Sequence, residues 1–273
     1  MHIFKLVTIN ILTDLSRWEK RKKLLARGLT ALNPDLIALQ EIHLPHNPAQ
    51  WLADQLGYEH VFLTPKTGFE SNREAIAILS RLPIDNYAAL DLKGQNRVAQ
   101  FVQVSVGDQP LIVANGHFYW QPGESAVRLQ QVERLLEWLK SIPGNPPCIV
   151  CGDFNSTPET AAIQRMRQDF SSAYAAIHGA EPEYTCPTPL PRSAWSQLRT
   201  FLGFFLLVRP NHLDPNWRGT LDYIFFDPRL KVMDCQVILD QPSPDNSQIY
   251  PSDHFGLFAT IKCEIDPKDY QNP

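Results

Sequence analysis

The chain has 273 residues, of which 44% are apolar and 20% charged, and a formal net charge of −4. A chain of that length buries a substantial core, and this balance of apolar and charged residues excludes a disordered one. Its mild acidity gives no global attraction for nucleic acid, so such binding needs a local basic patch or cations held in the site.

The N-terminus, "MHIFKLVTINIL", enters an alternating apolar run without a basic region, apolar stretch and cleavage site in series, so no secretory signal is expected. Five cysteines at spacings that pair into neither a disulfide framework nor a zinc site read as reduced thiols of a cytoplasmic, monomeric protein. Cys148 and Cys151 form a C-x-x-C, but residues three apart in a strand face opposite ways and do not chelate one ion. The longest apolar stretch, "FLGFFLLV" at 201–208, falls short of the ~20 residues that cross a bilayer.

In chain order, the strand "FKLVTINIL" leads to Ser16-x-x-Glu19, a capping-box pattern, and a basic amphipathic helix over 17–32 that Asn33-Pro34 stops. The buried-looking strand "DLIALQE" follows and ends in Gln40-Glu41. "REAIAILS" (73–80) and "RVAQFVQVSV" (97–106) read as strands without intervening helices. "PLIVANGHFYW" is a strand, and "ESAVRLQQVERLLEWLK" a helix with Val127, Val132, Leu135, Leu136 and Leu139 on one stripe, ended by Pro143-Gly144. "CIVCGDFN" is a buried strand running into a carboxylate, and Ser156-Thr157-Pro158-Glu159 is read as the cap of a further helix. "GTLDYIFFD" (219–227) and "DHFGLFATIKCEI" (253–265) complete the strands. Prolines crowd 143–147, 182–191 and 241–251, and 178–218 is read as a substrate-specific insertion. Two strand-helix-strand units plus directly linked strands give an α/β sandwich of two packed mixed β-sheets with helices on the outer faces, in one domain over 1–273.

Polar residues collect at the strand ends: Asn10, Glu41, Glu74, His117, Asp153, Asn155, Asp222, Asp253 and His254. Singly, each is an ordinary cap or turn residue. Together they offer hard oxygen donors such as Glu41 and Asn10, suited to Mg2+ or Mn2+, and two histidines for acid-base work. If the strand persists, Asp153 and Asn155 share a side and Phe154 enters the core.

"LVTINI", "LIALQEIH", "NREAIAILSR", "NRVAQFVQV", "NGHF", "CGDFNSTPE", "GTLDYIFF" and "YPSDHFGL" together resemble the motif series of the endonuclease/exonuclease/phosphatase superfamily, in the family's order and over nearly the whole chain. The resemblance implies a four-layered α/β sandwich and magnesium-dependent hydrolysis of phosphate esters. By resemblance, Glu41 is the principal metal ligand, with Asn10 beside it and Asp253 on the metal side. Asp153 and Asn155 match the pair that activates water and steadies the phosphoryl oxygens. Asp253 and His254 match a dyad in which the carboxylate orients the imidazole against the phosphate. Asp222 matches a further active-site acid, His117 an acid-base histidine with Glu74 as its carboxylate partner, and Arg97 a phosphate-binding arginine.

The wording of the last three motifs looks closest to the deadenylase and tyrosyl-DNA phosphodiesterase branches, which favours a nucleic-acid substrate. A sphingomyelinase-like or inositol-phosphate-type lipid phosphoesterase is the alternative, resting on the apolar patch of Trp195, Phe201, Phe204 and Phe205 within 195–208. A non-catalytic binding module is the third reading; it predicts loss of Glu41, Asp153, Asn155, Asp253 or His254, and all five are present. Trp120 and Trp217 are expected to pack in the core or at its rim, with base stacking as the other use of each.

Overall fold

In a computed structural model of the chain, residues 2–188 and 217–263 are described. Alternation in β1 (Ile3–Asn10) sends Phe4 and Leu6 to one face and Val7 and Ile9 to the other, and both sets are buried. A strand apolar on both faces needs cover on both. On one side the cover is α1 (Trp18–Leu32), through Trp18, Leu25 and Leu29. After β2 (Leu36–His43), which runs parallel to β1, α2 (Pro48–Leu56) adds Ala49, Leu52 and Ala53 to the same layer.

Strands β3 (His60–Pro65) and β4 (Glu74–Ser80) extend this sheet; β5 (Ile84–Asp91), β6 (Val98–Val106) and β7 (Gln109–His117) begin a second. Helix α3 (Ala126–Lys140) returns the chain to β8 (Cys148–Asp153), parallel to β7. Then come α4 (Ala161–Asp169), β9 (Ser171–Ser172), α5 (Ala173–His178), β10 (Asp222–Phe226), β11 (Lys231–Ile238) and β12 (Gly256–Lys262). The sheet orders are β11-β12-β1-β2-β4-β3 and β5-β6-β7-β8-β10-β9. Parallel pairing joins β1 to β2 and β7 to β8, the two strand-helix-strand units, and the other ladders are antiparallel.

The sheets meet face to face, Phe4, Leu6, Leu36 and Ile78 of the first packing with Val102, Val113, Ile149 and Ile224 of the second. The outer face of the second sheet, with Ile112, Ala114, Val150 and Phe225, is covered by Val132, Leu135 and Leu136 of α3 and by Ile163 and Met166 of α4. The layers therefore run helix, sheet, sheet, helix. Cys148 packs under α3 and Cys151 between the sheets, on opposite faces of β8 as their spacing requires, and all five cysteines are free thiols.

Several local expectations need correction. The capping box does not form: Arg17 caps α1 in a left-handed conformation, while Ser16 N–H donates to Asp14 and Glu19 pairs with Lys22. On α3 the buried stripe begins at Arg128, and Gln131 lies on it, while Val127 is exposed. Those two polar side chains are buried because they hold loop backbone described below. Helix α4 starts after Thr160 rather than at Ser156, whose hydroxyl bonds Thr160 Oγ1 and accepts from Arg128 Nε. The elements α2, β3, β5 and β11 were not among those expected from the sequence. Among the described residues no helix is long and apolar enough to cross a membrane. The apolar patch within 195–208, and most of the expected insertion, lie outside the described residues.

Candidate active site

The carboxyl ends of the two parallel pairs lie at one edge of the sandwich, where ligand sites of open sheets form. Register aligns Asn10 with Gln40, His117 with Asp153, and Asp222 of β10 with Asp153. Glu41 reaches the edge through a β-bulge: the pairing of β2 with β4 shifts between Leu39 and Ile42, and Glu41 adopts φ 59°. Asp153 is delivered instead by close strand approach, because Gly152 (φ 132°) lies where a Cβ would stand 2.1 Å from the Gly116 carbonyl oxygen.

Asn10 Nδ2 donates to Glu41 Oε1 and to Asp153 Oδ2, both at 3.1 Å, and so ties the two units together. Its amide oxygen accepts the Leu12 N–H at 3.0 Å, so Asn10 spaces the two carboxylates. Thr13 N–H donates to Glu41 Oε2 at 2.9 Å. Asn155, at φ 49°, leaves the strand; its N–H donates to Asp153 Oδ1 at 2.8 Å and its amide to the Phe118 carbonyl at 3.2 Å. Phe154 enters the core as expected, in a stack with Phe118. His117 Nε2 is 3.4 Å from Asp153 Oδ2, and Nδ1 is 3.5 Å from Glu74 Oε1.

The partner of His254 is not its neighbour Asp253 but Asp222: His254 Nδ1–H donates to Asp222 Oδ2 at 2.8 Å. Asp253 accepts from Ser252 Oγ at 3.3 Å and has His254, Glu41 and Arg21 as its charged neighbours, without a hydrogen bond to the ring. Thr185 Oγ1 donates to the same Asp222 oxygen at 2.6 Å. Burial opposes charge on His254, but Asp222, Cys186 and Asp153 outweigh it and hold the imidazole well above its ordinary pKa. Burial, with Arg97, pushes His117 down to about 3, and burial raises both Asp153 and Asp253.

The endonuclease/exonuclease/phosphatase family model matches residues 7–254, spanning every strand end just described. The chain belongs to the endonuclease/exonuclease/phosphatase family. It is 27% identical to Nocturnin of Xenopus laevis over 92% of this chain and 66% of that protein. It is 28% identical to the 2',5'-phosphodiesterase 12 of Mus musculus over 89% of this chain and 46% of that protein. The chain thus spans between about half and two thirds of the length of these curated relatives. The fold matches that of D. rerio TDP2 complexed with a single strand DNA product, with a TM-score of 0.74 at 18% identity over 95% of this chain and 99% of that one.

Family members of this fold use divalent metals, and this member's residues fit one. Glu41, its side chain 22% exposed, and Asp253, close enough to feel its charge, offer hard oxygen donors, and Asp222 Oδ1 is buried without a hydrogen-bond partner. Asp153, Asp222 and His254 also offer atoms within 4.8 Å of one another, but an imidazole held in its charged form is no ligand.

Several site residues carry no motif. Lys66, almost fully buried, meets Glu74 Oε1 at 2.8 Å and Glu70 at 3.2 Å; with Arg97, 3.8 Å from Glu74, it surrounds that carboxylate with cations. A lone lysine in a polar loop gives no sequence signal. The Arg97 guanidinium lies 2.7 Å from the His117 ring nitrogens. Buried Arg21 donates to the carbonyls of Ile11, Leu12, Asp14 and Pro251, fixing the β1 exit against the Ser252-Asp253-His254 turn. Its position on the apolar stripe with Trp18 and Leu25 was a legible signal. Trp120 and Trp217 are 52% and 45% exposed, so neither is a core residue.

Under the site, Gln40 Nε2 donates to Asn115 Oδ1 at 2.8 Å, and Asn115 Nδ2 donates to the carbonyls of Leu39 and Ala77 at 3.0 and 3.1 Å. This buried amide pair bridges the two sheets.

Proposed function

We propose that this family member is a divalent-metal-dependent phosphodiesterase acting on nucleic acid. The reading is carried by one observation: Glu41, Asp153, Asp222, His117 and His254, from both sheets, converge within hydrogen-bonding and ion-pair distances, tied by Asn10. The relative named as a 2',5'-phosphodiesterase supports the bond type.

A hard cation such as Mg2+, with Mn2+ as substitute, would be held by Glu41 and Asp253 and would neutralise phosphate charge. Asp153, 1% exposed at the site and raised by burial, is assigned to orient a water that enters with the substrate and to accept its proton. His254, kept cationic and aimed by Asp222, binds a phosphoryl oxygen through Nε2–H. An Asn amide has two N–H donors; that of Asn155 gives one to Phe118 and keeps one for charge developing at phosphorus. Burial and Arg97 favour the neutral form of His117, which suits it to a hydrogen-bonding role rather than that of a proton store. Glu74 orients it, and Arg97, against the His117 ring, adds positive charge for the phosphate.

The test is a panel of single-stranded RNA, single-stranded DNA, abasic duplex, sphingomyelin and inositol phosphates with Mg2+, with and without EDTA. Cleavage of a nucleic-acid strand, abolished by EDTA and by Asp153→Asn, is expected. Cleavage of sphingomyelin or inositol phosphates alone, or of nothing, overturns the reading.

A further inference from the structure

Between β5 and β6 four consecutive residues have left-handed backbone: Lys93 (φ 61°), Gly94 (71°), Gln95 (53°) and Asn96 (56°). Three of them carry side chains, for which this conformation is strained, and such strain persists only where the surroundings over-determine it. Here they do. Thr67 N–H donates to the Asn96 carbonyl at 3.0 Å, Arg97 N–H to that of Gly94 at 3.3 Å, and buried Gln131 Nε2 to the carbonyls of Lys93 and Gly94.

Gln131 and its neighbour on α3, Arg128, shape the adjoining loop. Gln131 Oε1 accepts Tyr119 N–H at 2.8 Å, and buried Arg128 donates to the carbonyls of Tyr119, Gln121 and Gly123. Gln95 closes the gap between turn and loop by accepting Trp120 N–H at 3.1 Å. Buried side chains thus clamp a backbone whose most prominent product is an indole standing 52% exposed. Across the turn, Phe69 is 77% exposed on the short helical turn Gly68–Glu70, anchored through Thr67.

Scattered exposed aromatics are ordinary. These two bracket a strained turn that ends at Arg97, whose guanidinium lies against His117, and Trp120 follows His117 by three residues, a reach of roughly 10 Å. A rigid aromatic face beside cations at a phosphate site has the two components of single-strand recognition, stacking and charge. A packed protein partner or lipid would call for a contiguous apolar patch, whereas the turn that joins the two segments carries Lys93, Gln95 and Asn96.

We propose that Trp120 and Phe69 form a stacking platform for an unpaired nucleobase next to the cleaved phosphate, which makes single strands the preferred substrate. Bases within a duplex have their faces covered and do not reach it. The proposal rests on the phosphodiesterase reading for its biological sense, but binding tests it separately.

The experiment compares wild type, Trp120→Ala, Trp120→Phe and Phe69→Ala on a single-stranded oligonucleotide, intact or with one abasic position scanned past the cleaved bond. Fluorescence anisotropy with the same labelled strand in EDTA reads binding without turnover. Trp120→Ala should weaken binding and raise KM about tenfold, Phe69→Ala somewhat less, and Trp120→Phe should retain most affinity. One abasic position should cost wild type as much as Trp120→Ala and cost Trp120→Ala nothing further. Equal binding by wild type and Trp120→Ala, or equal abasic penalties in both, overturns the platform. Strand binding that depends on Trp120 without any cleavage keeps the platform and overturns the phosphodiesterase reading.

Discussion

In the β1–α1–β2 unit, Glu41 leaves the ladder through a bulge at φ 59°, its side chain 22% exposed and held by the Thr13 amide. In the β7–α3–β8 unit, Asp153 ends an unbroken register with its side chain 1% exposed, clamped by Asn10 and the Asn155 amide. The same local plan gives one carboxylate open to an incoming cation and one walled from water, where proton affinity rises. On the proposed reading, environment at the strand end, rather than residue type, separates a ligand from a base.

The largest expected effect sharpens that division. Asp153→Asn should lower kcat by about 10²–10⁴-fold with an unchanged circular dichroism spectrum. Glu41→Gln should also be severely impaired, but raising Mn2+ should recover much of its activity and none of that of Asp153→Asn. A metal titration of both variants reads the contrast.

Asp222→Asn should cost about 10²-fold and change the pH profile. Asp222 raises His254, so removing its charge lowers that pKa, and the cationic imidazole then survives only to lower pH. The alkaline limb of kcat/KM should therefore move toward acid. By the same linkage, the stabilisation this pair supplies is complete below the ordinary histidine pKa of 6.5 and is lost as pH rises through the raised one.

The two backbone devices break in opposite directions. Gly152→Ala puts a Cβ 2.1 Å from the Gly116 oxygen at φ 132°, and should destabilise by about 3 kcal/mol, or roughly 6–12 °C in Tm. Glu41→Gly relieves a left-handed non-glycine residue and thins a cluster of acids. It should raise Tm by a few degrees, about 1 kcal/mol, while abolishing activity, as calorimetry and assay together would show.

Much of this was legible in the sequence because it depends on strand periodicity: the two units, the opposite faces of Cys148 and Cys151, and acids at strand ends. What escaped depends on long-range geometry. Asp253 precedes His254 in sequence, yet Asp222, thirty-two residues away, holds the ring. The bulge at Glu41 comes from how β4 pairs with β2, and Lys66 matters only because folding sets it on Glu74. Val127 satisfied an apolar stripe that Arg128 and Gln131 in fact occupy, since loop carbonyls outcompete water for those donors.

The Gln40–Asn115 bridge gives the cleft a mechanical property. It joins the sheets directly beneath Glu41 and Asp153, so parting the sheets would leave buried amides unpaired and separate the acids in one event. The site has no soft hinge through this point. Heat inactivation and global unfolding should coincide in a single transition, with no inactive folded state between them.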